Sequence, residues 1–220
     1  MSTYGYLLPT RGAVLESGGP ADLAERLRTD VVELAREAEA NGFDSVWVGD
    51  SVLAKPRPEP MTTLAAVGAV TDDLTLGTAV YLPTLRHPVH VAHQAATLSL
   101  LTGGRVALGM GVGRGPAVER EYANLGKPFD ARGRLLDEAL EVVSGLLDGG
   151  TLTYEGEFFD LRDASIGFSP AKAPGLYVPY RTLGEGEPFP PHVRDRIVAH
   201  GDGWLPIAIT PETYRRGLDA

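Results

Sequence analysis

Three histidines, His87, His90 and His93, recur at steps of three within TLRHPVHVAHQ. On one helix this spacing brings neighbouring side chains close enough to share a metal ion, and zinc is the chemistry such a row would support. Two features oppose it. Pro88 pushes the residue before it, His87, out of the helical conformation, and no cysteine or carboxylate stands nearby in sequence to complete a ligand set. His90 and His93 therefore read as solvent-facing or capping residues, His87 as a candidate for active-site chemistry, and no metal is expected.

Three other places carry groups that a ligand could use. Asp50 follows the apolar run VWVG and is placed to accept hydrogen bonds from a ligand N–H or hydroxyl, although an aspartate there also closes its own loop through an Asx turn. In GMGVGRGP (109–116), Gly111, Val112 and Gly113 suit close approach of backbone to a ring system or phosphate, and Arg114 suits an anionic group. The plain alternatives are a tightly packed turn and a solvated arginine. Gly184 and Gly186 in GEG could cradle a phosphate with backbone N–H groups, against the charge of Glu185 and Glu187. The sequence contains no P-loop, no nucleophile elbow and no distinctive Ser/His/Asp arrangement, so hydrolysis has no positive support.

The elements that must position these groups alternate between strand and helix. Apolar segments at 4–8, 44–49, 74–82, 105–112, 176–180 and 203–207 read as strands, and their alternation with helical periodicity signals parallel βαβ units. Leu23, Leu27, Val31, Leu34 and Ala38 mark one helix between Pro20 and Gly42. Pro88 opens a second, with Val91, Ala95, Leu98 and Leu101 inward and Gly103 and Gly104 beyond it. Asp130 is placed to cap a third, carrying Leu136, Ala139, Val143 and Leu146. Residues 151–161 read as a hairpin turning at Glu155 and Gly156, an insertion after the fourth helix. The expected fold class is α/β, of the TIM-type (β/α)8 barrel family, with about six βα units visible. Residues 1–220 are taken as one domain, incomplete at the C-terminus by two units. A doubly wound open sheet is the alternative, weakened because PTRGAVLESGGP after the first strand lacks a G-x-G-x-x-G turn.

In a parallel barrel the functional groups lie at the C-terminal ends of strands. Those ends hold Asp50, the 78–80 segment, 111–114 and 184–186, and their small residues leave room for a flat cofactor. A formal charge of -9 at pH 7 and the lack of a dense basic run oppose nucleic acid as a partner. The absence of cysteine removes disulfides and thiolate chemistry and fits a reducing, cytoplasmic setting. No run of about 18 apolar residues is present, so no membrane association is expected.

The ordered set GFDSVWVGDSV, LTLGTAVYLPTLRHPVHVAHQAATLSLLTGGRVALGMGVGRG, EYANLGKPFDARGRLLDEALEVV, TYEGEFFDL and GDGWLP resembles the bacterial luciferase-like superfamily. The resemblance implies a barrel holding reduced FMN or the deazaflavin F420 at its mouth. It also implies an oxidoreductase of monooxygenase type, acting on a small organic substrate with molecular oxygen or by hydride transfer, and a homodimer. It matches a non-prolyl cis peptide at Ala79–Val80, backing the flavin, and cofactor contacts at Asp50, Thr78, Ala79, Val80, Gly111, Val112 and Gly113. Glu121, Arg132 and Glu138 match positions read as structural. Ser51 stands where several F420-dependent members carry histidine. Arg114 stands where some sugar-phosphate dehydrogenases carry an acid, which argues against that substrate. The segment around Gly184 and Gly186 is longer and more acidic than the usual phosphate loop. A second reading, from another class, is a non-catalytic flavin-binding protein or an inactive incomplete barrel.

Overall fold

The computed structural model describes residues 3–181 and 189–218. Among them, six strands form one parallel sheet in the order β1 (Gly5–Leu7), β2 (Ser45–Val48), β3 (Thr75–Tyr81), β4 (Val106–Met110), β7 (Gly175–Tyr180), β8 (Gly203–Pro206). Each expected strand is present within one or two residues of its apolar segment. The order runs in one direction without reversal, as in a barrel wall, whereas a doubly wound sheet reverses at a switch point. The open-sheet alternative is thereby set aside.

Strand alternation divides the residues between two faces. Val46 and Val48 of β2, Leu76 of β3, Leu108 of β4 and Leu176 of β7 are buried in the main core. They meet Ala35 of α3 (Leu34–Ala40), Leu64 of α4 (Pro60–Gly68), Val91 and Ala95 of α5 (Pro88–Leu101), and Leu140 and Val143 of α7 (Arg132–Leu147). Each fully buried Leu or Val contributes about 1.5–3 kcal/mol, so this layer carries most of the stability. The other face is curled and concave. Trp47 lies there across Gly77, whose position admits no Cβ beneath the indole, and its Nε1–H donates to Ser45 Oγ at 2.9 Å.

The helix between the first two strands is built as α2 (Pro20–Arg26), a π-helical stretch over Leu27–Glu33, and α3. Asp130 does not cap α7: the helix starts after Ala131 with no side-chain cap, and the first turn is instead tied by Arg132. The hairpin is real, with β5 (Leu152–Glu155) antiparallel to β6 (Asp160–Ala164), so its second strand runs three residues past the expected end. Glu138 of α7 holds its turn by accepting from the N–H groups of Glu157, Phe158 and Phe159 at 2.7, 2.9 and 3.2 Å. Five further helices had no counterpart in the sequence reading: α1 (Thr10–Leu15), α4, α6 (Pro116–Asn124), α8 (Pro191–His200) and α9 (Pro211–Leu218).

Candidate cofactor site

β3 and β4 part at their C-terminal ends. The Ala79–Val80 peptide is cis, and the register with β4 slips between Ala79 and Tyr81, so that Tyr81 faces Met110. Val80 O accepts from Asp50 N–H at 3.1 Å and Tyr81 O from Gly111 N–H at 2.9 Å, joining the ends of β2, β3 and β4 into one rim. Beside this rim lies a cavity of about 580 Å³, reaching across to β7 and α8. That volume is within the range of small-molecule and cofactor sites.

The cavity divides by chemistry. Val80, Val112, Leu136, Val178, Pro179 and Val193 make an apolar wall. Gly111 forms part of the floor, where a Cβ would stand 2.9 Å from Pro179 Cγ and 3.3 Å from Val80 Cγ2, so the backbone itself is the surface offered to a ligand. Four arginines, Arg114, Arg132, Arg181 and Arg196, line the same cavity, together with Asp130 and His192. Arg196 is neutralised by Asp137, which it grips through Nε and Nη2. Arg132 meets only a backbone carbonyl, Phe129 O, at 2.8 Å, while its Cζ rests 3.9 Å from the Phe129 ring centroid. Its Nε is buried without a hydrogen-bond partner among the described residues. An apolar wall beside an unsatisfied guanidinium fits a planar heterocycle bearing an anionic substituent.

Of the residues singled out from sequence, Val80, Gly111, Val112, Gly113 and Arg114 line this cavity together. Ala79 is exposed on the concave face, whereas Thr78 is fully buried toward the helices and donates to Gly109 O at 3.2 Å. Asp50 is tied into the rim. Its carboxylate takes Arg86 Nη1 at 2.6 Å and Nη2 at 3.0 Å and accepts from Leu82 N–H at 2.9 Å, and its side chain is 0% exposed. Burial raises its pKa while Arg86 and the Leu82 N–H oppose the rise. Arg86 in turn lies over the Tyr81 ring at 4.4 Å. These contacts leave Asp50 organising the rim rather than presenting a free acceptor.

His87 stands away from the cavity. It caps α5, Nδ1 accepting from Val89 N–H at 3.3 Å, and its ring packs edge-on against Phe159 of the hairpin. Burial, His90 and Lys127 together lower its pKa. His93 packs on Phe168, and among the described residues no three His, Asp or Glu side chains converge on a metal-sized site. Gly184 and Gly186 lie outside the described residues.

Two positioning residues escaped the sequence reading of the rim. Tyr122 of α6 is fully buried and ties the rim loops, donating to Val112 O at 2.9 Å and bonding Thr84 Oγ1. Glu121, read as structural, holds the loop after Asp50: its Oε1 accepts from the N–H groups of Val52, Leu53 and Ala54 at 2.6, 2.5 and 3.1 Å and from Ser51 Oγ at 3.2 Å. The Val118–Tyr122 spacing was the available signal for α6. Nothing in sequence paired Glu121 with a loop 67 residues away.

Known proteins are similar to this chain in sequence and in fold. An uncharacterised protein of Mycobacterium tuberculosis is 31% identical over 198 residues, covering 80% of this chain and 65% of its own length. An F420-dependent glucose-6-phosphate dehydrogenase of Kineococcus radiotolerans is 32% identical over 180 residues, covering 78% of this chain and 52% of that enzyme. The solved structure of an F420-dependent secondary alcohol dehydrogenase, in complex with an F420–acetone adduct, superposes with a TM-score of 0.75 at 25% identity. That match covers 100% of this chain and 64% of the other. The chain thus spans between about half and two thirds of the length of these relatives. The model of one family, described as luciferase-like monooxygenase, matches residues 3–220, and the chain belongs to that family.

Proposed function

We propose that this chain carries the cofactor end of an oxidoreductase that uses reduced F420 or FMN to transform a small organic substrate. The observation that carries this is the cavity beside the β3–β4 rim, lined by apolar side chains and by Arg132, whose Nε has no partner among the described residues. F420 is preferred over FMN because the characterised curated relatives are named for it. When bound, either cofactor supplies the redox chemistry, hydride transfer for F420 and hydride transfer or oxygen activation for FMN. The chain's own residues do the rest. Val80 and Gly111 would offer backbone to the ring system, and Val112 and Val178 would give it apolar cover. Arg132 and Arg114 take the anionic part of the cofactor.

Ser51 is engaged by Glu121, and Arg114 stands at the fourth strand's end, so neither a histidine nor an acid supplies a proton at those two positions. The substrate is accordingly not a sugar phosphate of the kind the Kineococcus relative is named for. Molecular oxygen as second substrate, a homodimer and a cytoplasmic location belong to the same proposal. No helix among the described residues is long and apolar enough to cross a membrane.

Absorbance and fluorescence titration of the purified chain with F420 and with FMN tests the reading. Saturable binding is expected, weakened about ten-fold or more in Arg132→Gln through loss of a charge-assisted contact. Gly111→Ala should weaken it as well, since its Cβ must displace Pro179 or Val80. Failure of both cofactors to bind would refute the proposal.

A further inference from the structure

A second arginine at the same mouth lacks a counterion. Arg57, in the loop between β2 and α4, lays its guanidinium on the backbone of Gly49, where a Cβ would stand 2.8 Å from Cζ. Gly49 continues the Ser45, Trp47 alternation, so this guanidinium sits on the concave face, at the C-terminal end of β2 and across β3 from the cavity. Its Nε is buried with no partner among the described residues, and Nη1 reaches only Thr10 Oγ1, at 3.5 Å.

Neither nearby carboxylate hydrogen-bonds Arg57. Asp50 is taken by Arg86 and the Leu82 N–H. Glu59 caps α4, Oε2 accepting from Thr62 N–H at 2.7 Å, while its Oε1, 3.7 Å from Arg86 Nη2, is buried without a hydrogen-bond partner among the described residues and makes none with Arg57. The other charge felt by Arg57 is of the same sign: burial, then Arg11, lower its basicity against a smaller pull from Asp50. A half-buried guanidinium whose Nε has no acceptor is costly, and its planar fork matches a carboxylate or phosphate.

We propose that Arg57 recognises an oxyanionic group, carboxylate or phosphate, on the organic substrate. The proposal rests on the reading of the mouth as the site where cofactor and substrate meet, and it assigns the substrate to the anionic class. Arg132 and Arg57 then divide the mouth between two anions, the cofactor's on the β4–β7 side and the substrate's on the β1–β2 side.

The test uses the whole chain with ¹⁵N-labelled arginine, titrated with acetate and with inorganic phosphate while the arginine Nε–H resonances are followed. The Arg57 signal should shift saturably, and the anion that binds more tightly tells carboxylate from phosphate. Affinity read by calorimetric titration should fall about ten-fold or more in Arg57→Gln, by loss of a charge-assisted contact. Gly49→Ala keeps the charge but displaces the guanidinium, and should produce the same loss with circular dichroism unchanged. No saturable shift with either anion, or unchanged affinity in both variants, overturns the proposal. So does a large loss of F420 or FMN affinity in Arg57→Gln, because the arginine would then serve the cofactor. An anion site in a chain that binds neither cofactor would overturn the cofactor reading alone.

Discussion

Asp50 offers the sharpest choice between two roles, because ligand binding and rim assembly predict opposite outcomes for Asp50→Asn. Its side chain is 0% exposed, and its two oxygens hold both terminal nitrogens of Arg86, itself 17% exposed, together with the Leu82 N–H. Removing one partner of a buried, hydrogen-bonded ion pair leaves the other charge uncompensated and costs about 3–5 kcal/mol. At about 2–4 °C per kcal/mol for a chain of this size, Asp50→Asn should lower Tm by roughly 6–20 °C. Arg86→Met should cost a similar amount and also lose the contact with the Tyr81 ring. The double variant should cost clearly less than the sum, since the two deletions remove one shared interaction. Urea unfolding of the wild type, both single variants and the double variant measures this coupling. If Asp50→Asn unfolds within about 0.5 kcal/mol of wild type yet fails to bind F420 or FMN, the rim assignment is refuted and Asp50 is a ligand acceptor.

Two further outcomes follow from the loop and helix caps. Glu121→Ala should cost about 3 kcal/mol, near 1 kcal/mol for each of the three backbone N–H bonds lost. Amide exchange at Val52, Leu53 and Ala54 should speed up in step, and unchanged exchange there would contradict the assignment. His87 should titrate below the ordinary histidine value of about 6.5. Because its folded pKa is lowered, neutral His87 favours the fold above that value, and the contribution fades as pH falls through the folded pKa, when Nδ1 gains a proton and loses the Val89 N–H. An imidazole titration by NMR that places the midpoint at or above 6.5 would remove the basis for this.

The wall of the fold was legible because its signals are local and repeated. The strands are short apolar runs, the second, third and fourth set about 30 residues apart, and α5 and α7 are long enough, at 14 and 16 residues, for their apolar stripe to recur. α4 and α6 were missed at nine residues each, although Pro60 and Pro116 open them as helix starts. Two and a half turns give an apolar stripe little room to repeat. Within the site, the glycine and valine positions of the rim were legible through resemblance. The pairing of Asp50 with Arg86 was not, since a carboxylate's partner depends on which loop folds over it rather than on its own neighbours in sequence.

The acids of this chain explain why its mouth is cationic. With 29 acidic against 20 basic residues, the formal charge is -9, yet Arg57 and Arg132 keep a buried Nε without a partner among the described residues. Three glutamates are spent on backbone. Glu39 accepts from the N–H groups of Asp72, Asp73 and Leu74, Glu121 from those of residues 52–54, and Glu138 from those of residues 157–159. Each reaches from a helix to a distant loop and fixes three consecutive amides, which does for a loop what a cap does for a helix. Asp50 and Asp137 are spent on Arg86 and Arg196. The acids that would otherwise pair with Arg57 and Arg132 are thus engaged mainly with backbone amides and with Arg86 and Arg196, which is what the proposed anion roles of the two arginines require.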